Sequence, residues 1–144
     1  MTRSKLLCVD DDAAVRELYR ILLGSFGYEV VVAENGAEAL QLFRLREFDA
    51  VILDYEMPGM NGGELAAEIK RRSSLVPIIM VSGCQPVVEE APRFVDAAVA
   101  KGARMDRLLE KLEMLLDTAA SKADLGTPAL RFASGVAVGD VSFS

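Results

Sequence analysis

Between residues 6 and 116, short unbroken apolar runs alternate with stretches whose apolar residues recur at helical spacing. Leu6-Leu7-Cys8-Val9 is one such run, and it ends abruptly in Asp10-Asp11-Asp12. The next stretch sets Val15, Leu18, Leu22 and Phe26 three or four residues apart. That spacing predicts a helix with these four as its apolar stripe, and Gly27 is its stop signal. Tyr28 to Val32 is rich in β-branched residues and reads as a second strand. Asn35 is suited to cap a helix that carries Leu40 and Phe43. Ala50-Val51-Ile52-Leu53 is a third buried-strand run, ending in Asp54, and the turn chemistry of Met57-Pro58-Gly59-Met60-Asn61-Gly62-Gly63 follows it. A helix with Leu65 and Ile69 ends near Arg71-Arg72. Ile78-Ile79-Met80-Val81 reads as a fourth strand, Ala97 to Ala100 as a weaker fifth, and Arg104 to Leu116 as a last helix with Leu108, Leu112 and Leu115 on one face.

Strands that alternate with helices imply right-handed crossovers, hence a doubly wound α/β fold with a five-stranded parallel sheet and helices on both faces. Strands that are apolar throughout agree, because central parallel strands are covered on both sides. In such sheets the site lies at the carboxyl ends of the strands. The polar residues expected there are Asp10 and Asp11 after the first strand, Asp54 after the third, Ser82 after the fourth and Lys101 after the fifth.

Composition narrows the classes. A chain of 144 residues, 51% hydrophobic and 26% charged, is the size and balance of one globular domain. No apolar run approaches the ~20 residues that a membrane span needs. The first five residues lead straight into a strand, with no signal-peptide pattern. Two cysteines, Cys8 and Cys84, form neither a metal-ligand spacing nor a disulfide framework, so a reducing, cytoplasmic setting is the simplest expectation. A net charge of −6 argues against direct nucleic-acid binding, and the absence of histidine removes the commonest general base and metal ligand. From Thr118 the chain becomes rich in Ala, Gly and Ser without a helical period. Residues 1–117 are therefore expected to form the domain and 118–144 a tail, flexible or docked through Val136–Val138 and Val141–Phe143.

Three carboxylates converging on one sheet edge need an explanation, since two charges about 4 Å apart repel by about 4 kcal/mol at an effective dielectric of roughly 20. A hard divalent cation resolves the conflict, and oxygen-only ligands favour Mg²⁺, Mn²⁺ or Ca²⁺ over zinc. Asp54 is then the candidate nucleophile, because a carboxylate can attack phosphorus and form an acyl phosphate. Lys101 would offset charge on the phosphoryl oxygens and Ser82 would donate a hydrogen bond to them.

Four stretches carry a resemblance to the receiver domains of two-component response regulators: residues 6–12, Val51-Ile52-Leu53-Asp54-Tyr55-Glu56-Met57-Pro58-Gly59-Met60-Asn61-Gly62, Pro77 to Gly83, and Val99-Ala100-Lys101. The second is the most specific, and the resemblance covers about residues 4 to 116. It implies a flavodoxin-like (βα)5 fold, the acidic pair Asp10 and Asp11 with Asp54 and the Glu56 backbone carbonyl as Mg²⁺ ligands, and Asp54 as phosphoacceptor. It also implies Ser82 as the switch hydroxyl, Lys101 as the phosphate-binding lysine, and a histidine kinase or phosphotransfer protein as donor. The receiver itself would catalyse transfer and slow self-dephosphorylation, as a monomer or weak homodimer; the stretch after Leu116 is too short for a typical output domain, so none is expected.

The chain departs from the family pattern in three places. Gly102 stands where a proline usually follows the lysine, and a cis bond before a non-proline residue costs ~3–4 kcal/mol, so a trans bond or a strained loop is expected. Ala98 stands where the family has its switch aromatic. Pro86 and Pro92 oppose a long helix between Ser82 and Lys101, which predicts a short, irregular or absent fourth helix. Plainer roles compete at single positions: Asp12 as a helix N-cap rather than a ligand, Cys84 as a small packed residue rather than a redox switch, and Met57, Met60 and Met80 as packing. Two other functions compete: a non-phosphorylated pseudo-receiver acting as an interaction module, and a phosphatase of the haloacid-dehalogenase type, against which Glu56 stands where that pattern needs a second aspartate.

Overall fold

Each apolar run becomes a strand and each periodic stretch a helix in the computed structural model, which describes residues 3–83, 94–102 and 105–125. The order is β1 (Lys5–Val9), α1 (Ala13–Ser25), β2 (Glu29–Ala33), α2 (Gly36–Leu45), β3 (Ala50–Asp54), α3 (Gly62–Arg72), β4 (Ile78–Ser82), β5 (Ala97–Ala100) and α4 (Met105–Leu125). The five strands form one parallel sheet in the order β2-β1-β3-β4-β5. The expected fold class is the observed one. The expected irregular helix between Ser82 and Lys101, with Pro86, Pro92 and Cys84, falls on residues 84–93, outside the described residues.

Period-two alternation along the strands builds two cores. Leu7, Val9, Val51, Leu53, Ile78 and Met80 face α2 and α3, where Ala39, Leu65, Ala66 and Ile69 are buried. Leu6, Cys8, Ala50, Ile52, Ile79 and Val81 face α1 and α4, where Tyr19, Leu23, Leu108 and Leu112 are buried. β3 and β4 are buried along their whole length, as their unbroken apolar runs require. Met57 and Met80 are buried and Met60 packs against the same core, which is the packing role expected of all three.

Two helices correct the sequence reading. On α1 the buried residues are Tyr19 and Leu23, and Val15 of the expected stripe packs against the same core, whereas Leu18 and, just past the helix, Phe26 are exposed, at 46% and 61%. The apolar residues of this helix fit two overlapping stripes, and docking against the sheet selects the one offset from that expected. The last helix does not stop at Leu116 but continues to Leu125. Thr118 to Leu125 lacks an apolar period, yet it contains three alanines and a lysine, all strong helix formers, and the first breaker is Gly126. Residues 126–144, including the two segments expected to extend, lie outside the described residues.

Candidate functional site

The sheet ladder continues one residue past the ends of β1, β3 and β5. Asp10 N–H donates to Ala33 O at 3.1 Å, Tyr55 N–H to Val81 O at 2.9 Å and Lys101 N–H to Ser82 O at 2.8 Å. These bonds fix the backbone beside Asp10, Asp54 and Lys101 at the carboxyl ends of β1, β3 and β5, where strand order reverses around β1. Asp12 caps α1 by accepting from Ala14 N–H at 2.9 Å, as expected. Its own N–H donates to Asp10 Oδ1 at 2.9 Å, which orients the Asp10 carboxyl. On the other side, Gly62 N–H donates to Tyr55 O at 3.0 Å, and a Cβ at Gly62 would lie 2.6 Å from Asp54 O. The start of α3 therefore packs against the β3 terminus as only glycine permits.

One carboxylate oxygen each from Asp10, Asp11 and Asp54 lies within 4.8 Å of the others. Asp10 and Asp54 are buried and Asp11 is exposed. Asp54 Oδ2 accepts from Lys101 Nζ at 3.1 Å and Asp54 Oδ1 from Glu56 N–H at 3.2 Å. Burial pushes the Asp54 carboxyl up to about 6; the Lys101 hydrogen bond opposes this and the neighbouring Asp10 charge adds to it. Burial likewise raises Asp10, against the Asp12 N–H bond. For Lys101 burial works downward, but the carboxylates of Asp54, Asp10 and Glu56 outweigh it and the ammonium ends higher than usual.

The residues fit a hard cation. The donor set is oxygen only, and buried Asp10 Oδ2 has no hydrogen-bond partner among the described residues. An acceptor aimed into a cluster of like charge is what a cation would satisfy.

Ser82 is buried at the end of β4, and its Oγ donates to Glu56 Oε2 at 2.6 Å. Lys101 reaches the cluster although Gly102 replaces the usual proline. No peptide bond is cis among the described residues, and Gly102 has φ +90°, a value closed to proline. Ala98 pairs with Met80 in the sheet. One participant was not singled out from sequence. Arg16 donates from Nη1 to Asp10 O at 2.8 Å, tying the acidic loop to α1; its signal was a cation one turn after the Asp12 cap. The Glu56 side chain, rather than only its carbonyl, also enters the site. Cys8 is a free, buried thiol whose pKa burial raises, so it is inert packing.

The fold is a known one. A family model described as "Response regulator receiver domain" matches residues 6–113. The chain belongs to that family. Among the curated relatives of this receiver, the response regulator MprA of Mycobacterium sp. (strain KMS) is 33% identical over 131 residues, covering 89% of the chain and 57% of the relative. The probable transcriptional regulator ycf27 of Guillardia theta is 43% identical over 88 residues, covering 61% of the chain and 34% of that protein. The receiver thus spans 57% or less of the length of these two relatives. Among solved structures, the response regulator TrrA of Thermotoga maritima, in complex with Mg²⁺-BeF, superposes with a TM-score of 0.73 at 38% identity, over 78% of this chain and 98% of that one. A CheY-like receiver domain protein of Methanospirillum hungatei JF-1 gives a TM-score of 0.78 at 28% identity, over 84% and 99%. Among the described residues no helix is long and apolar enough to cross a membrane.

Proposed function

We propose that this receiver accepts a phosphoryl group on Asp54 from a histidine kinase or phosphotransfer protein, in a Mg²⁺-dependent reaction in the cytoplasm, and signals by docking to a partner or passing the group on. The observation that carries this reading is the convergence of Asp10, Asp11 and Asp54, with Lys101 Nζ 3.1 Å from Asp54 and Asp10 Oδ2 buried with no partner among the described residues. Asp10, Asp11, one Asp54 oxygen and the Glu56 backbone carbonyl would hold the ion. Bound there, Mg²⁺ supplies charge neutralisation for the phosphoryl oxygens. The other Asp54 oxygen attacks phosphorus as the bond to the donor breaks and the leaving group departs with its electron pair. Lys101 offsets charge on the transferred group, and Ser82 donates a hydrogen bond to one of its oxygens.

The test is incubation with Mg²⁺ and acetyl phosphate, read by intact mass beside an Asp54→Asn control. The expected outcome is a gain of one phosphoryl group, lost when EDTA removes the metal and absent in the control. No gain at any Mg²⁺ concentration would overturn the reading and leave a pseudo-receiver that acts through its surface alone.

A further inference from the structure

Three donors assigned above to the phosphoryl group or lying beside it already hold an anion. Ser82 Oγ donates to Glu56 Oε2 at 2.6 Å, Gly83 N–H to Glu56 Oε1 at 3.3 Å, and Lys101 Nζ lies 4.0 Å from the same Oε1. A carboxylate presents two anionic oxygens much as one face of a phosphoryl group does, and such charge-assisted bonds are the stronger kind. Glu56 lies two residues past Asp54, so its side chain can reach across the acceptor to the ends of β4 and β5. It is also 43% exposed, which leaves it a path outward into water. The buried Ser82 hydroxyl cannot serve both anions as it now serves one, and two negative groups on the same donors would repel.

From this we infer that the Glu56 side chain is an internal stand-in for the phosphoryl group, a carboxylate latch on Ser82, Gly83 and Lys101 that must swing out before the group can seat. The inference rests on the proposed acceptor chemistry and adds a positioning residue to it. Glu56 sets how readily the site takes its ligand, by competing for the donors rather than by touching the reacting bond. Removing the latch takes the Glu56 carboxylate off these donors in the resting state.

The test is a double-mutant cycle on beryllium fluoride affinity at saturating Mg²⁺, followed by fluorine NMR in wild type, Glu56→Ala, Ser82→Ala and the double variant. Glu56→Ala is expected to bind about tenfold tighter than wild type, the scale of one charge-assisted hydrogen bond no longer lost on binding. Glu56→Gln, which keeps an acceptor for Ser82 but loses the charge, should fall between the two and guards against a loop loosened by the alanine. In wild type, Ser82→Ala removes a contact from the latched state as well as from the bound state, so its cost is partly cancelled. Without Glu56 the cost is expected to be larger by roughly threefold or more. Equal Ser82→Ala costs in the two backgrounds, or no tightening in Glu56→Ala, overturn the latch while leaving the acceptor chemistry intact. No binding in any variant, with no phosphoryl gain from acetyl phosphate, overturns both.

Discussion

At the scale of single residues, the site stores unfavourable charge. Asp54 is buried beside Asp10, and its carboxyl is pushed up to about 6 chiefly by burial. The unfolded chain gives up that proton near 3.8, the ordinary value, so the folded protein binds it more tightly. Below about pH 4 both states carry the proton and burial of the acid costs little. As pH rises through 6 the folded state must ionise a buried group, and stability falls. Asp54→Asn, neutral and nearly the same shape, is therefore expected to be more stable than wild type at pH 7 without metal, by on the order of 2 kcal/mol. The advantage should fade as pH drops toward 4. Urea melts of both proteins in chelator across that range check it; an advantage that is constant with pH would show that the acid is not under charge strain. Arg16 and Asp12 act on the same loop from α1, one through the Asp10 carbonyl and the other through its carboxylate, so the acidic pair is held by the helix that follows it.

Elements decide which of their residues matter. α1 carries Val15, Leu18, Tyr19, Ile21, Leu22 and Leu23, with Phe26 at its C-cap, enough apolar residues for more than one face. Only Tyr19 and Leu23 are buried. Leu23→Ala should cost about 3 kcal/mol, the usual range for a fully buried leucine. Leu18→Ala should stay within roughly 0.5 kcal/mol, as an exposed substitution does. Thermal or denaturant melts of the two variants separate the faces, and a reversed order would restore the stripe through Leu18 and Phe26. α4 teaches a related lesson at its other end. Periodicity marks where a helix is packed, and propensity carries the helix on past its packed part to Leu125.

For the whole molecule, the site lies where β1 separates β2 from β3, and no single element contains it. Strands β1 and β3 bring the acids, β4 the hydroxyl and β5 the lysine. A cation binding only to this assembled arrangement stabilises the fold by mass action, by about 2.7 kcal/mol at a hundredfold excess over its Kd. Mg²⁺ is thus expected to raise the Tm of the wild-type protein and to leave that of Asp10→Asn nearly unmoved. Thermal melts with and without Mg²⁺ decide this, and equal shifts in both proteins would exclude Asp10 as a ligand. The sequence by itself determined the strand and helix alternation, the parallel sheet and the chain positions of Asp10, Asp11, Asp54, Ser82 and Lys101, because apolar runs, periodicity and turn residues are local signals. Tertiary structure alone decided three things. It chose the buried face of α1, since docking rather than spacing selects among possible stripes. It let Lys101 meet Asp54 through a turn with Gly102 at positive φ, where the family usually has a proline. It laid the Glu56 carboxylate over Ser82 and Gly83, a contact across 26 and 27 residues that depends on β3 and β4 lying side by side.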